Sequence, residues 1–85
     1  MNKFYLYILR CSDNSYYVGQ TDNLEKRVSE HSNGRFVGYT STRLPVIKVY
    51  DKVFSTRAEA LLAEKKVKPW ARQKKEALIR GDFEI

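Results

Sequence analysis

Four side chains among residues 7–31 have the types and spacing that phosphate chemistry needs. Tyr7 and Tyr17 are phenols, and Arg27 and His31 stand four residues apart, which places them on one face of a helix. The planar guanidinium of an arginine can donate two parallel hydrogen bonds to phosphate oxygens and stabilise charge that develops there. Each residue also has a commoner role: a tyrosine bonded inside a small sheet, an arginine paired with a carboxylate, or a histidine favoured by a helix C-terminus.

A fifth candidate is the carboxylate of Glu64, which borders an apolar stripe because it lies three residues after Leu61 and three before Val67. A charge at such a position needs a partner or an ion. One carboxylate is enough for Mg²⁺, which keeps several water ligands and is often held by one or two carboxylates plus substrate phosphate. The alternative is a glutamate at the rim of the core that pairs with Lys68 four residues further on.

The two tyrosines belong to β-rich runs at residues 4–9 and 15–20, and the Ser/Asp/Asn cluster between these runs is typical of a turn. A hairpin with this turn places Tyr7 opposite Gly19. Tyr17 is then a near-diagonal neighbour of Tyr7 on the same face, about 7 Å away. A glycine opposite Tyr7 leaves room over the sheet for the ring or for a ligand.

The remaining pattern predicts three helices and one more strand. The first helix is expected over Asp22–Ser32, opened by a capping box of Asp22 with Glu25 and ended at Asn33-Gly34. A third strand follows over Val46–Phe54, with Ile47, Val49 and Val53 on one side and Tyr50 and Phe54 on the other. The second helix opens with a capping box of Thr56 and Glu59, turns Ala58, Leu61 and Leu62 inward, and ends at Pro69; the last helix covers Gln73–Arg80. The order ββαβαα predicts a single α+β domain over residues 1–85, with a small three-stranded antiparallel sheet flanked by helices.

Residues 35–45 show no clear period, and a connection of this length is usually functional or mobile. Arg35, Tyr39, Thr40 and Arg43 are the residues of this segment that could line a phosphate track. The alternative is a solvated loop attached to the core by one of its aromatic residues.

The formal net charge of +6 is carried by residues 65–80, which hold seven Lys or Arg and a single Glu, whereas the rest of the chain is balanced. Such a segment attracts polyanions such as nucleic acid, although a solvated helix face has the same composition. No apolar run reaches the roughly 18 residues needed to span a membrane. The one cysteine, Cys11, cannot form an internal disulfide, and a reducing cytoplasm is the expected compartment.

These residues together resemble a known family. The tripeptides Tyr5-Leu6-Tyr7 and Tyr17-Val18-Gly19, followed by Arg27, His31 and Glu64, look like the two signatures and the catalytic positions of the GIY-YIG nuclease domain. The resemblance extends over nearly the whole chain, which is similar to small bacterial proteins that consist of this domain and little else. Two positions depart from the family pattern: Tyr5 stands where the signature has glycine, and no asparagine follows Glu64.

The resemblance implies a metal-dependent endonuclease that acts on nucleic acid, with DNA as the expected substrate and a monomer as the expected state. It implies that Tyr7 is the general base, that Tyr17 positions the attacking water, and that Arg27 steadies the transition state. His31 contacts phosphate or helps to take the proton, and Glu64 binds the divalent ion, Mg²⁺ or alternatively Mn²⁺. The expected substrate-binding residues are Gly19, Arg35, Tyr39, Thr40, Arg43, Lys68, Lys74 and Lys75. The alternative is a nucleic-acid-binding module on the same scaffold that cleaves weakly or not at all.

Overall fold

The computed structural model of the chain describes residues 3–85. Within them the elements follow the predicted order: β1 (Phe4–Arg10), β2 (Tyr16–Thr21), α1 (Leu24–Ser32), β3 (Ile47–Phe54), α2 (Arg57–Val67) and α3 (Arg72–Arg80). The three strands form one sheet in the order β2-β1-β3, and both pairings are antiparallel. The predicted fold class is therefore confirmed. In this part of the chain no helix is long and apolar enough to cross a membrane.

The hairpin register agrees with the prediction, since Tyr7 pairs with Gly19 and Leu9 pairs with Tyr17. The turn is closed by a hydrogen bond from the Cys11 amide to the Ser15 carbonyl, 2.8 Å long. Asn14 takes the left-handed conformation that such a turn requires, with φ of 67°. The turn chemistry therefore sets which side chains of β1 and β2 share a face.

The predicted alternation along the third strand is wrong in its first half. Ile8 pairs with Tyr50 while Leu9 pairs with Lys48, so Val49 is an extra residue at a bulge. The bulge lets Val49 pack on the core together with Tyr50 and Phe54, whereas the prediction put Val49 on the opposite side.

Two predictions about the helices need correction. The first helix begins at Leu24, and its N-cap is Asn23, whose side chain accepts a hydrogen bond from the Lys26 amide. The predicted capping box of Asp22 with Glu25 does not form, because Thr21 Oγ1 holds the Asn23 amide and Asp22 instead forms an ion pair with Arg57.

The buried face of α2 is also different from the predicted one. Ala60, Ala63 and Val67 are buried, whereas Leu62 is 68% exposed. Small side chains at the contact let the helix approach the sheet closely, and this rotates the two leucines at 61 and 62 toward the rim. The capping box of Thr56 with Glu59 is present as predicted, and the helix ends before Pro69.

The core lies between the sheet and the last two helices. Leu6, Ile8 and Val18 from one sheet face pack against Ala63 and Val67 of α2 and Leu78 of α3. The C-terminal residues close this layer, with Phe83 packed on Trp70 at 5.6 Å between ring centroids. Because neighbouring residues of a strand face opposite sides, Tyr7, Tyr17 and Gly19 lie on the sheet face that this core does not use.

Candidate active site

The ring of Tyr7 lies across Gly19 on the neighbouring strand. A β-carbon added at Gly19 would come within 2.5 Å of the Tyr7 hydroxyl oxygen. Real β-carbons do not approach other atoms so closely, so the absence of a side chain at position 19 is what allows the phenol to lie there. Gly19 therefore shapes the site rather than offering a group to a ligand.

The Tyr7 hydroxyl is the first member of a buried hydrogen-bonded series. It lies 3.0 Å from His31 Nε2, and His31 Nδ1 lies 2.6 Å from Thr40 Oγ1. All three residues are fully buried, and they come from β1, from the end of α1 and from the segment after it. These two hydrogen bonds connect β1, the end of α1 and the segment after α1 through the His31 ring.

Burial lowers the pKa of His31 to about 4, and the nearby Arg27 guanidinium contributes to the shift. The imidazole is therefore neutral near neutral pH, so one ring nitrogen accepts a hydrogen bond while the other donates one. If Nδ1 donates to Thr40, Nε2 is left to accept the Tyr7 hydroxyl proton; the opposite tautomer reverses both bonds. The predicted contact between His31 and phosphate is not available in this conformation, because the side chain is fully enclosed.

The Tyr7 phenol is held in its protonated form. Burial raises its pKa to about 12, with further contributions from Tyr17 and from Glu64, while a hydrogen bond and the positive charge of Arg27 oppose the rise. Arg27, Tyr17 and Glu64 are therefore the groups, apart from burial, whose charge influences the Tyr7 hydroxyl. Three residues of different elements thus act on one oxygen atom.

Tyr17 completes the aromatic wall of the site. Its ring centroid lies 6.3 Å from that of Tyr7 and 5.0 Å from that of His31, and its outer side is stacked on Tyr39. Burial raises the pKa of Tyr17, the positive charges of Lys68 and Arg27 lower it, and Glu64 raises it. The predicted approach of Tyr7 and Tyr17 on one face is confirmed.

Arg27 is half-buried and is held from two sides. Its Nε lies 3.3 Å from Glu30 Oε1, and its guanidinium carbon lies 5.0 Å from the centre of the Phe36 ring. Phe36 also packs on His31 at 4.2 Å between centroids, so one of the aromatic residues of the segment after α1 does attach it to the buried part of the molecule. The sequence did contain a signal for this contact, because Phe36 is an aromatic residue that follows α1 by only a few positions.

The negative charge of Glu64 raises the pKa of both Tyr7 and Tyr17, and this influence is the observation that relates Glu64 to the two phenols. Its side chain is 19% exposed, and its carboxylate lies 3.4 Å from Lys68 Nζ. Residues 3–85 hold no group of three or more acidic, histidine or cysteine side chains arranged to bind a metal. A single accessible carboxylate nevertheless fits Mg²⁺, which binds through few protein ligands and completes its shell with water and substrate phosphate.

The expected substrate-binding residues fall into two groups. Thr40 and Tyr39 contact residues of the site: Thr40 bonds to His31, and Tyr39 stacks on Tyr17. The Arg43 guanidinium carbon lies 3.9 Å from the centre of the Tyr39 ring. Arg43 is further engaged by Asp13, 3.1 Å from its Nε. The buried Thr40 hydroxyl therefore cannot line a phosphate track as predicted.

The basic residues of the expected set are spread over the molecule. Lys68 lies beside Glu64 at the site, and Arg35 is exposed in the segment after α1. Lys74 lies 4.2 Å above the Trp70 ring, and burial lowers the pKa of Lys75. Both of these lysines are on α3, which packs on the other face of the sheet.

Comparison with known proteins finds a matching family model and several similar chains. Residues 3–77 match the family model described as the GIY-YIG catalytic domain. A UPF0213 protein of Staphylococcus saprophyticus is 46% identical over 79 residues, which cover 93% of this chain and 96% of that relative. The UPF0213 protein YazA of Bacillus subtilis is 42% identical over 78 residues, covering 92% of this chain and 79% of YazA.

Two solved structures are similar to this chain as well. The solution NMR structure of a protein from E. faecalis has a TM-score of 0.64 and 38% identity, and covers 94% of this chain and 85% of that one. The solution NMR structure of a UPF0213 protein from Bacillus halodurans has a TM-score of 0.60 and 37% identity, covering 92% and 83%. Sequence and structure comparisons therefore indicate the same family.

Proposed function

This chain belongs to the GIY-YIG family of nuclease domains, and on that premise we propose that it is an endonuclease that hydrolyses phosphodiester bonds in DNA. The observation that supports the proposal most directly is the Tyr7 hydroxyl. It is hydrogen-bonded to a neutral histidine and lies under the influence of Arg27 and Glu64. The phenol that contacts a possible proton acceptor is therefore also influenced by the charges of a guanidinium and a carboxylate.

The Tyr7 hydroxyl is fully buried in the unbound protein, so the proposed reaction requires substrate binding to uncover it. Tyr7 and Tyr17 then hold the attacking water in line with the scissile phosphate. As the water oxygen bonds to phosphorus and the bond from phosphorus to the leaving oxygen breaks, one water proton passes to the Tyr7 oxygen and the Tyr7 hydroxyl proton passes to His31 Nε2. The leaving oxygen takes its proton from solvent, and His31 returns its proton to solvent after the product leaves. A relay of this kind suits a phenol whose pKa is about 12, because no free phenolate has to form. It requires the tautomer in which His31 Nδ1 donates to Thr40.

Arg27 donates to the non-bridging phosphate oxygens, where negative charge grows as the leaving oxygen departs. Its ion pair with Glu30 engages Nε and is half-exposed, so binding of a phosphate can replace or supplement it. Glu64 would hold Mg²⁺ or Mn²⁺, and a divalent ion bound there supplies charge neutralisation at a phosphate oxygen. Lys68 would have to release Glu64 for that contact.

A second candidate function is a nucleic-acid-binding module that keeps the scaffold but cleaves weakly or not at all. The observation that favours it is the contact of Lys68 with Glu64, which places an ammonium group where the ion would bind. The absence of an asparagine after Glu64 is a further departure from the family pattern.

A cleavage assay distinguishes these two functions. Labelled single-stranded, duplex and branched DNA, and RNA, are incubated with the protein and Mg²⁺, Mn²⁺ or a chelator. The variants are Glu64→Gln, Tyr7→Phe and Arg27→Ala, and Glu84→Gln is the matched control because Glu84 lies in the exposed C-terminal tail. We expect metal-dependent cleavage that falls by about 10²-fold or more in the three site variants and is unchanged in the control.

Circular dichroism of each variant shows whether it is folded. Cleavage by folded Glu64→Gln at the rate of the unaltered protein would contradict the nuclease proposal. If none of the substrates is cut but binding persists in all variants, the binding module is the correct interpretation.

A further inference from the structure

A cleft that the proposed chemistry does not use lies between the start of α1 and the sheet. Its volume is about 490 Å³, and its apolar walls are the Tyr5 ring and the side chains of Leu24 and Val28. This volume is within the range of small-molecule sites, which are about 300–1,000 Å³. An aromatic ring with aliphatic neighbours is a surface on which a flat, apolar group can stack.

The cleft adjoins the surface beside Arg27. A second, smaller cleft of about 200 Å³ is lined by Arg27 and Glu30, and it shares Asp22 and Asn23 with the first. Tyr5 precedes Tyr7 by two residues on the same face of β1, so the two residues are about 7 Å apart along the strand. A strand whose phosphate lies at Arg27 therefore passes the mouth of the cleft.

The charges of the cleft favour a base over a phosphate. Asp22 is paired with Arg57 and Lys48 is paired with Asp51, whereas none of the ion pairs among residues 3–85 involves Glu25. An unpaired carboxylate repels phosphate. It accepts hydrogen bonds from the exocyclic amino group of a base, as carboxylates do when they read cytosine.

We propose that this cleft binds one nucleobase of the substrate strand, stacked on Tyr5, with its exocyclic amino group donating to Glu25. The inference deepens the proposed nuclease function and rests on it. The preferred ligands are adenine, cytosine and guanine rather than thymine or uracil, which have no amino group. A base in this cleft is unstacked from its neighbours, so the favoured substrate is unpaired beside the scissile bond.

Binding of free nucleosides tests the cleft without any cleavage. Cytidine and uridine are titrated into ¹⁵N-labelled protein, and amide shifts are followed. We expect cytidine to move the amides of residues 22–28 and Lys48, and to bind several-fold more tightly than uridine.

Variants of Tyr5 and Glu25 test the stacking contact and the hydrogen bond to the base separately. We expect Tyr5→Leu to weaken cytidine binding about 5-fold or more, since a base–aromatic contact contributes at least this factor. Tyr5→Phe keeps the ring and should bind like the unaltered protein. Glu25→Gln should remove the preference for cytidine over uridine. Tyr50→Leu, which alters a tyrosine on the other sheet face, is the matched control and should change neither ligand's binding.

Shifts centred away from the cleft, or cytidine binding that is equal in Tyr5→Leu and the unaltered protein, would overturn the proposal. This result is distinguishable from failure of the nuclease function, because the cleavage assay is independent of it. If the protein cuts DNA while cytidine does not bind in the cleft, only the present inference fails. If it binds cytidine there but cuts nothing, the cleft stands and the nuclease proposal fails.

Discussion

His31 is the only histidine of the chain, and its imidazole is enclosed between a phenol and a threonine hydroxyl. A helix-terminal histidine exposed to solvent would be charged more easily, because the helix dipole favours the cation. Here burial wins over the dipole, and the ring stays neutral. The residue thus serves as a hydrogen-bond centre for the Tyr7 hydroxyl rather than as a cation for phosphate.

This burial predicts a pH dependence of stability. The folded-state pKa of His31 is about 4, below the ordinary value of 6.5, so between these two values the unfolded chain binds a proton that the folded chain does not. The free energy of unfolding should therefore decrease as the pH falls from about 6.5 toward 4. Urea unfolding at several pH values measures it, and His31→Gln, which cannot titrate, should have a flatter profile in this window.

The titration itself is visible by NMR, because the chain has a single imidazole. A midpoint near 6.5 for its carbon-bound protons would show that His31 is not buried as described.

At the scale of elements, the segment between α1 and β3 is tied to the hairpin turn and not to a substrate track. The Ser12 amide donates to the Arg43 carbonyl, and the Arg43 side chain contacts Asp13, the Tyr39 carbonyl and the Tyr39 ring. These contacts place Tyr39 against Tyr17 and Thr40 against His31. Arg43 therefore positions the wall of the site from outside.

Replacing Arg43 by leucine should loosen this segment without unfolding the sheet. The lost ion pair and cation–π contact are each worth up to about 1 kcal/mol at a partly exposed position. We expect amide hydrogen exchange in residues 36–44 to become roughly tenfold faster, since 1.4 kcal/mol corresponds to a factor of ten. Arg35→Leu, an exposed arginine of the same segment, is the control. Equal exchange in both variants would refute the positioning role of Arg43.

At the scale of the whole molecule, the excess positive charge and the candidate active site lie on different parts of the surface. The basic residues run from the end of α2 through α3, and these helices cover the sheet face opposite Tyr7. Lys68 is the member of this segment that reaches the site, since its charge affects the pKa of Tyr17. A polyanion that contacts both the basic segment and the candidate active site must therefore pass along the edge of the molecule at Lys68.

This distribution predicts that nucleic-acid binding depends strongly on salt concentration, and that this dependence arises mainly from the lysines of the basic segment. Each lysine that contacts a phosphate adds close to one unit to the slope of log K against log salt concentration. Lys66→Gln combined with Lys74→Gln should therefore reduce the slope by up to about two units, measured by fluorescence anisotropy between low and moderate salt.

Lys3→Gln combined with Lys52→Gln removes the same charge from the balanced part of the chain and is the control. Equal reductions in the two double variants would mean that net charge alone attracts the nucleic acid, and that the basic segment is not the binding surface.

The sequence by itself determined the features that depend on neighbours along the chain. The turn between β1 and β2 and the two-residue period of strands were enough to place Tyr7 opposite Gly19, and short-range capping chemistry was enough to locate the start of α2. The signatures, together with Arg27 and Glu64, indicated the family before any contact was known. The first helix start was misjudged because two adjacent residues, Asp22 and Asn23, can both cap, and a distant arginine engages Asp22.

Only the tertiary structure decided which groups meet across elements. It buried Ala60, Ala63 and Val67 in place of the larger leucines, because the closeness of helix and sheet is set by the smallest side chains between them. It also joined Thr40 to His31, and it placed the Arg43 guanidinium over the Tyr39 ring. Hydrogen bonds and stacking depend on distances of a few ångströms between residues far apart in the chain. Residue types and spacing along the sequence do not contain those distances.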